Sequence, residues 1–327
     1  MRTALALGLL LLAGCGARTE LYAGARKCTG QCSAVVLFGG YAQGAVLSDT
    51  WTWDGATWSP STASSPPTAR QDAAMASDAT SGVVLYGGQG SPGPNFSDTW
   101  TWRSSGWSQP ALASSPPSRV WTAMARGAGA VVLFGGDADS SLQPLADTWT
   151  WDGSGWSQAH PAASPPPRAL HVMASWGNGV VLFGGVGNGL DTLGDTWIYD
   201  GATWLSPTVL SAPPAREQSA MASLGSKGQV VLFGGYAYDP KTGNHWMNDT
   251  WTWDGTQWNE QHPAVSPPVR ARHAMAALGD VVVLFGGEDA SGAALGDTWT
   301  WDGVAWTEQH PASAPPAREG AVMASAR

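Results

Sequence analysis

Six times along the chain a β-branched run ends in a double glycine and is followed, after a short insert, by Asp-Thr-Trp. The glycine pairs start at Gly39, Gly87, Gly135, Gly184, Gly234 and Gly286, spaced 48, 48, 49, 50 and 52 residues apart. A period of this length means stacked supersecondary units, none of which buries its apolar face alone. Each unit holds four strand-like runs. The first, strand B, is "VVLFGG" from Val35. Strand C is "DTWTW" from Asp49, where threonine and tryptophan alternate as a pleated strand requires. An Asp-Gly turn leads to strand D around Trp58. A proline-rich passage then reaches "RQDAAM" from Arg70, the start of strand A of the next unit.

The chain opens on a B strand with no A before it and closes, from Arg318, on an A strand with no B after it. These leftovers complement each other. Residues 318–326 are therefore expected to complete the first sheet, closing a ring and leaving no repeat ends to cap. The predicted fold is all-β: a six-bladed β-propeller whose first blade is closed by the C-terminal strand. Blades in a ring diverge like wedges, so at constant packing density side chains must grow from axis to rim. Strand A carries Ala, Ser, Gly and one Met, strand B Val, Leu and Phe, and strands C and D tryptophan. Trp51, Trp53, Trp58 and their copies are accordingly expected in the core rather than as stacking platforms for a ligand.

The double glycine, the aromatic residue in strand C, the later tryptophan and the "PPxxR" or "PPxR" lead into strand A resemble the kelch repeat over residues 33–327. "DTWTWDG" has Trp where many kelch units have Tyr, and Tyr199 in the fourth copy restores the commoner residue. The resemblance implies a kelch-type propeller; such propellers serve unrelated functions, so it does not fix an activity.

An antiparallel A-B-C-D sheet brings the start of A, the end of B and the start of C to one end, where every unit has Arg, Gly-Gly and Asp. An arginine reaching across strand B spans two strand spacings, about 10 Å. This predicts structural pairs Arg70 with Asp98, Arg119 with Asp147, Arg168 with Asp195, Arg216 with Asp249, Arg270 with Asp297, and across the closure Arg318 with Asp49.

From Trp58 to Arg70 is 12 residues, and the other copies keep that length, which marks the D-A passages as scaffold. The inserts between the double glycine and Asp-Thr-Trp run from 8 residues (41–48) to 13 (236–248). Unequal loops on a rigid frame are where function usually sits, and these B-C loops share one face. Candidate ligand-binding residues there are Tyr41, Asp137, Asp139, Tyr236, Tyr238, His245, Trp246, Glu288 and Asp289. His160, His262 and His310 share one "HPA" position and read as repeat filler; His171 and His273 sit in strand A. No Ser/His/Asp order, phosphate loop or metal-ligand spacing emerges, so no cofactor and no metal are expected.

The start, "MRTALALGLLLLAGC", has one basic residue and an apolar run too short to span a membrane as a mature helix, and reads as an export signal over residues 1–14. "LAGC" resembles the lipobox of bacterial lipoproteins, which implies lipidation of Cys15. Gly16 after it points to the outer membrane, and residues 15–32 form the lipidated tether. Cys28 and Cys32 are suited to close a small disulfide in an oxidising compartment, but their spacing is not that of a redox or zinc pair. All three cysteines precede the repeats, which excludes a copper radical site built on a cysteine-tyrosine link.

The formal charge is −9, with only Lys27, Lys227 and Lys241 as lysines. That excludes a phosphate-neutralising nucleic-acid surface, and it repels anionic lipid, leaving the anchor as the sole membrane contact. The expected function is a monomeric, non-catalytic, lipid-anchored scaffold of the bacterial cell envelope, binding a protein or glycan through its B-C loop face. The alternative is a sugar-active enzyme resembling the bacterial kelch mutarotase of sialic acid, using Glu217 or Glu319 with a histidine.

Overall fold

Every residue of the strand B run is apolar because a blade has a neighbour on each side. Val35 and Leu37 pack into a cluster with Ala274, Val283 and Phe285, whereas Val36 and Phe38 pack with Met75, Leu85 and Trp107. Alternate side chains thus enter the two interblade cores, and neither face of the strand is left for a polar residue.

The computed structural model describes residues 34–326 apart from 79–81, 104–105, 128, 140–142, 240 and 242. The expected signal segment and tether, with Cys15, Cys28 and Cys32, lie outside the described residues. Six antiparallel sheets follow one another along the chain. Blade 1 has the order Val322–Ala326, Ala34–Phe38, Thr50–Trp53, Trp58–Pro60. The C-terminal strand is therefore its innermost member, in a register running from Ala34 opposite Ala326 to Phe38 opposite Val322. Blades 2 to 6 begin on inner strands Ala74–Asp78, Ala123–Arg126, Val172–Trp176, Ala220–Leu224 and Ala274–Leu278. Each inner strand touches the next around the axis, and Val322–Ala326 touches both the first and the last of these. The chain is a closed six-bladed propeller, as the head-to-tail complementarity of its repeats predicts.

At the rim the tryptophans divide the labour. The strand D indole of each blade packs edge-on against the strand B aromatic of the preceding blade: Trp107 on Phe38, Trp156 on Tyr86, Trp204 on Phe134, Trp258 on Phe183, Trp306 on Phe233 and Trp58 on Phe285, with centroids 5.1–5.4 Å apart. The same indole donates its N–H to the Asp-Thr-Trp threonine of that preceding blade, from Trp107 to Thr50 around to Trp58 to Thr298, at 2.8–3.0 Å. These buried bonds close a circle, so each interblade contact is both a large apolar burial and an oriented hydrogen bond.

One expectation needs correcting. Trp53, Trp58 and their copies are buried, but Trp51, Trp100 and Trp197 are only partly so. The first tryptophan of the motif donates its indole N–H to the carboxylate two residues before it, at 2.6–2.7 Å in all six blades, both where it is half-buried and where, as at Trp149, Trp251 and Trp299, it is buried.

Candidate functional site

The end of the propeller carrying the B-C loops is built on a constant frame. Arg70 donates from Nη1 and Nη2 to the two carboxylate oxygens of Asp98, and the remaining five predicted partners are likewise joined, at 2.6–2.8 Å. Nη1 also donates to the first glycine of the double-glycine motif, as from Arg70 to the Gly87 carbonyl at 2.9 Å. All six arginine side chains are 0% exposed. They are spent on the frame and present no guanidinium to a carboxylate ligand. Burial pushes each aspartate's pKa up, but the arginine bonds and charge and the tryptophan N–H outweigh it, holding all six below the usual carboxylate range.

The glycine has a further reason to be glycine. Gly39 has φ +66°, and a Cβ there would collide with the carbonyl oxygen of Arg70 in the next blade, to which Gly40 donates its N–H. The double glycine lets neighbouring blades meet backbone to backbone, which is a stricter demand than clearing a path for the arginine.

Two residues after each arginine the chain crosses the axis end of the blade in the left-handed conformation, at Asp72, Trp121, Leu170, Gln218, Arg272 and Gly320, with φ from 53° to 61°. Their backbones form a directed circle. Asp72 N–H donates to Gly320, Gly320 to Arg272, Arg272 to Gln218, Gln218 to Leu170, Leu170 to Trp121 and Trp121 back to Asp72, at 2.9–3.2 Å. This ring frames the channel mouth.

Around it lies a collar in which the residue after each arginine bridges the residue after a double glycine. The pairs are Glu319 with Tyr41, Gln71 with Gln89, Val120 with Asp137, Ala169 with Val186, Glu217 with Tyr236 and Ala271 with Glu288. Four of the sequence candidates, Tyr41, Asp137, Tyr236 and Glu288, therefore occupy equivalent collar positions. Asp139, Tyr238, His245, Trp246 and Asp289 lie farther along the inserts. The fifth insert is a hairpin, Tyr236–Asp239 against Gly243–Trp246, with the Trp246 ring stacked on Tyr236 at 5.2 Å. Two candidates are occupied by their own turns: Asp137 Oδ1 accepts from the Asp139 N–H, and Asp289 Oδ1 accepts from the N–H groups of Ser291 and Ala293 and the Ser291 hydroxyl.

The ionisable groups gather on one arc. Arg272 donates to Asp72 at 3.0 Å and to Glu319 at 2.9 Å, and Glu288 hydrogen-bonds Glu319. Burial pushes Glu217 up to about 7; burial and the neighbouring Glu319 do the same to Glu288. Tyr236 is pushed up to about 12 by burial, then by the charges of Glu217 and Glu288. The opposite arc is mostly apolar, with Val120, Trp121, Ala169, Leu170 and Val186, and also carries the buried Asp137.

Asp72 and Arg272 were not among the sequence candidates, yet a signal for them exists. This position reads Asp, Trp, Leu, Gln, Arg and Gly, while the arginine two residues before it and the methionine three residues after it never change. Of the histidines that the alternative enzyme reading could use, the two in strand A do not pair with a glutamate. His171 and His273 are buried edge-on against Phe134 and Phe233, where burial pushes both pKa values down to about 3. Among the described residues no group of three or more His, Cys, Asp or Glu is arranged to hold a metal ion. The inner strands line a cavity of about 710 Å³ with Met75, Met124, Met173, Met221, Met275 and Met323 together with alanines, glycines and serines, and Arg126 is the one charged group among its described lining residues.

Glu217 provides a test of this electrostatic picture. Its folded-state pKa near 7 exceeds the ordinary 4.5, so the folded protein binds the extra proton between those values and stability falls as pH rises through that window. Glu217→Gln should match the parent in stability at pH 4 and exceed it by about 2–3 kcal/mol at pH 8, read from urea unfolding at the two pH values. A parent as stable as the variant at pH 8 would mean the carboxylate is well solvated.

A family model described as the KLHDC2/KLHL20/DRC7 Kelch-repeats domain matches residues 82–254. No curated protein matches the chain.

Proposed function

The chain belongs to the kelch-repeat propeller family, whose members commonly serve as protein-interaction scaffolds, and on that premise we propose that it is a non-catalytic binding scaffold working through its B-C loop face. The observation that carries this reading is a contrast within one repeat. Six blades share the same arginine-aspartate-tryptophan frame, while ring and collar positions resting on it differ from blade to blade. Packing explains the constant part and leaves the varied part to a ligand. The partner is a protein or a neutral glycan.

In the same proposal the scaffold is monomeric and is exported and lipidated at Cys15, placing it at the outer membrane of a bacterial envelope. Cys15→Ser should release it from the membrane fraction without altering its melting temperature. Replacing 236–248 by the eight-residue insert 41–48 should abolish capture of the partner by crosslinking in intact cells, again with melting preserved. The same captured species after the exchange would rule out this hairpin as the contact.

A second reading, the sugar-active enzyme, draws on Glu217 and Glu288, both poised near pH 7 for proton transfer. It stands behind the first because an anionic sugar would face four carboxyl groups and one arginine already engaged. Anomer exchange of N-acetylneuraminate no faster than in buffer, followed by NMR, removes it.

A further inference from the structure

Arg272 at the mouth is shared between Asp72 and Glu319, which leaves two carboxyl groups in surplus. Among the described residues Glu288 has Glu319 as its one hydrogen-bond partner, a bond that requires a proton on the pair, with Arg272 acting at longer range. Glu217 is 6% exposed, and among the described residues no hydrogen bond or ion pair reaches its carboxyl group. A buried carboxylate without a partner is costly in a folded protein and needs a reason outside the fold. Glu217 bridges Tyr236 in the collar, and the bridge of Ala271 with Glu288 belongs to the adjoining blade, joined to the first through the Arg272 to Gln218 backbone bond, so both surplus groups belong to one stretch of the mouth. The Tyr236 ring is held by its stack on Trp246.

We propose that this mouth takes a primary alkylammonium group, the side chain of a lysine presented by a protein partner, between Glu217 and Glu288 and beside the Tyr236 ring. The proposal rests on the reading of the B-C face as the binding face and names the chemistry it selects. A metal ion is disfavoured because the carboxyl groups do not converge as ligands among the described residues. An ammonium carries three rotatable donors and suits two separate carboxylates and a phenol, whereas a guanidinium favours one bidentate carboxylate. An aromatic face beside the site adds cation–π attraction, and the chain's formal charge of −9 draws cations in.

Binding must compete with protons. Glu217 faces Tyr236; Glu288 faces Glu319, Arg272, Asp72 and Tyr236. Since both glutamates are protonated at the acid side of about 7, affinity should rise as pH increases from 6 to 8.

The test is calorimetric titration of the full chain with acetyl-Gly-Lys-Gly-amide and with the same peptide acetylated on the lysine Nζ. The expected result is binding of the charged peptide at least about tenfold tighter, a tenfold or larger loss in Glu217→Gln and in Glu288→Gln, and a rise in affinity from pH 6 to pH 8 that the double variant lacks. Glutamine keeps the shape and removes a buried charge, so these variants should fold, which their melting curves check. Equal binding of the two peptides, no binding of either, or unchanged affinity in Glu217→Gln overturns the lysine assignment. Should the 236–248 exchange nonetheless abolish partner capture, the binding face stands and only the ligand class falls.

Discussion

A chain ending at Ala317 should fail to unfold as one cooperative unit and should self-associate. The deletion removes the innermost strand of blade 1, leaving the inner edge of Ala34–Phe38 unpaired, and it strips Asp49 of its arginine. It also breaks the inner circle on both sides, since Val322–Ala326 touches Ala274–Leu278 and Ala74–Asp78. An exposed apolar edge of this kind templates pairing with another chain. The expected readouts are a broadened, non-coincident pair of denaturation curves from fluorescence and circular dichroism, and oligomers in light scattering. Adding a synthetic peptide of residues 318–327 should restore a single transition. A sharp, monomeric transition in the truncated chain would contradict closure as a source of cooperativity.

Asp98→Asn should destabilise the protein by about 3–5 kcal/mol, because it leaves the Arg70 guanidinium buried beside an uncharged amide. Arg70 makes its other bonds to the carbonyls of Gly87 and Thr68 and has no second anion among the described residues. Combining it with Arg70→Met should recover much of the loss, since a buried ion pair replaced on both sides by neutral groups is near neutral in stability. The same single change at Asp195 should cost less, because that carboxylate is 38% exposed against 22% for Asp98. Urea unfolding of the three variants beside the parent decides the matter. Equal effects at the two aspartates would show that desolvation does not set the cost. The lowered aspartate pKa values fix the pH direction: this stabilisation is complete above the unfolded carboxylate range and is lost as acid drives the pH down through the folded values.

Much of the architecture was legible because it is repeated. The unmatched B strand at Val35 and unmatched A strand after Arg318 imply ring closure whatever the side chains do. The separation of Arg, Gly-Gly and Asp along an antiparallel sheet brings them to one end by topology alone. What could not be read is which atom each indole seeks. Trp51 and Trp58 look alike in the sequence, yet one turns to Asp49 within its own motif and the other to Thr298 in the neighbouring blade. That choice depends on the wedge angle between sheets, which periodicity does not encode. The mouth was legible only in part for a related reason. Its residues come from different blades, 200 positions apart in the case of Asp72 and Arg272, and they meet only because the ring is round.

The circle of backbone bonds from Asp72 through Gly320 and back has a consequence for recognition. Peptide dipoles set tangentially and nose to tail cancel in sum, so this hoop has no positive or negative pole, unlike the end of a helix. The potential felt by an approaching molecule is then authored by the side chains of the hoop and of the collar around it, which differ from blade to blade. Retuning specificity should need only one such residue exchanged, with the wheel beneath it turning out unchanged.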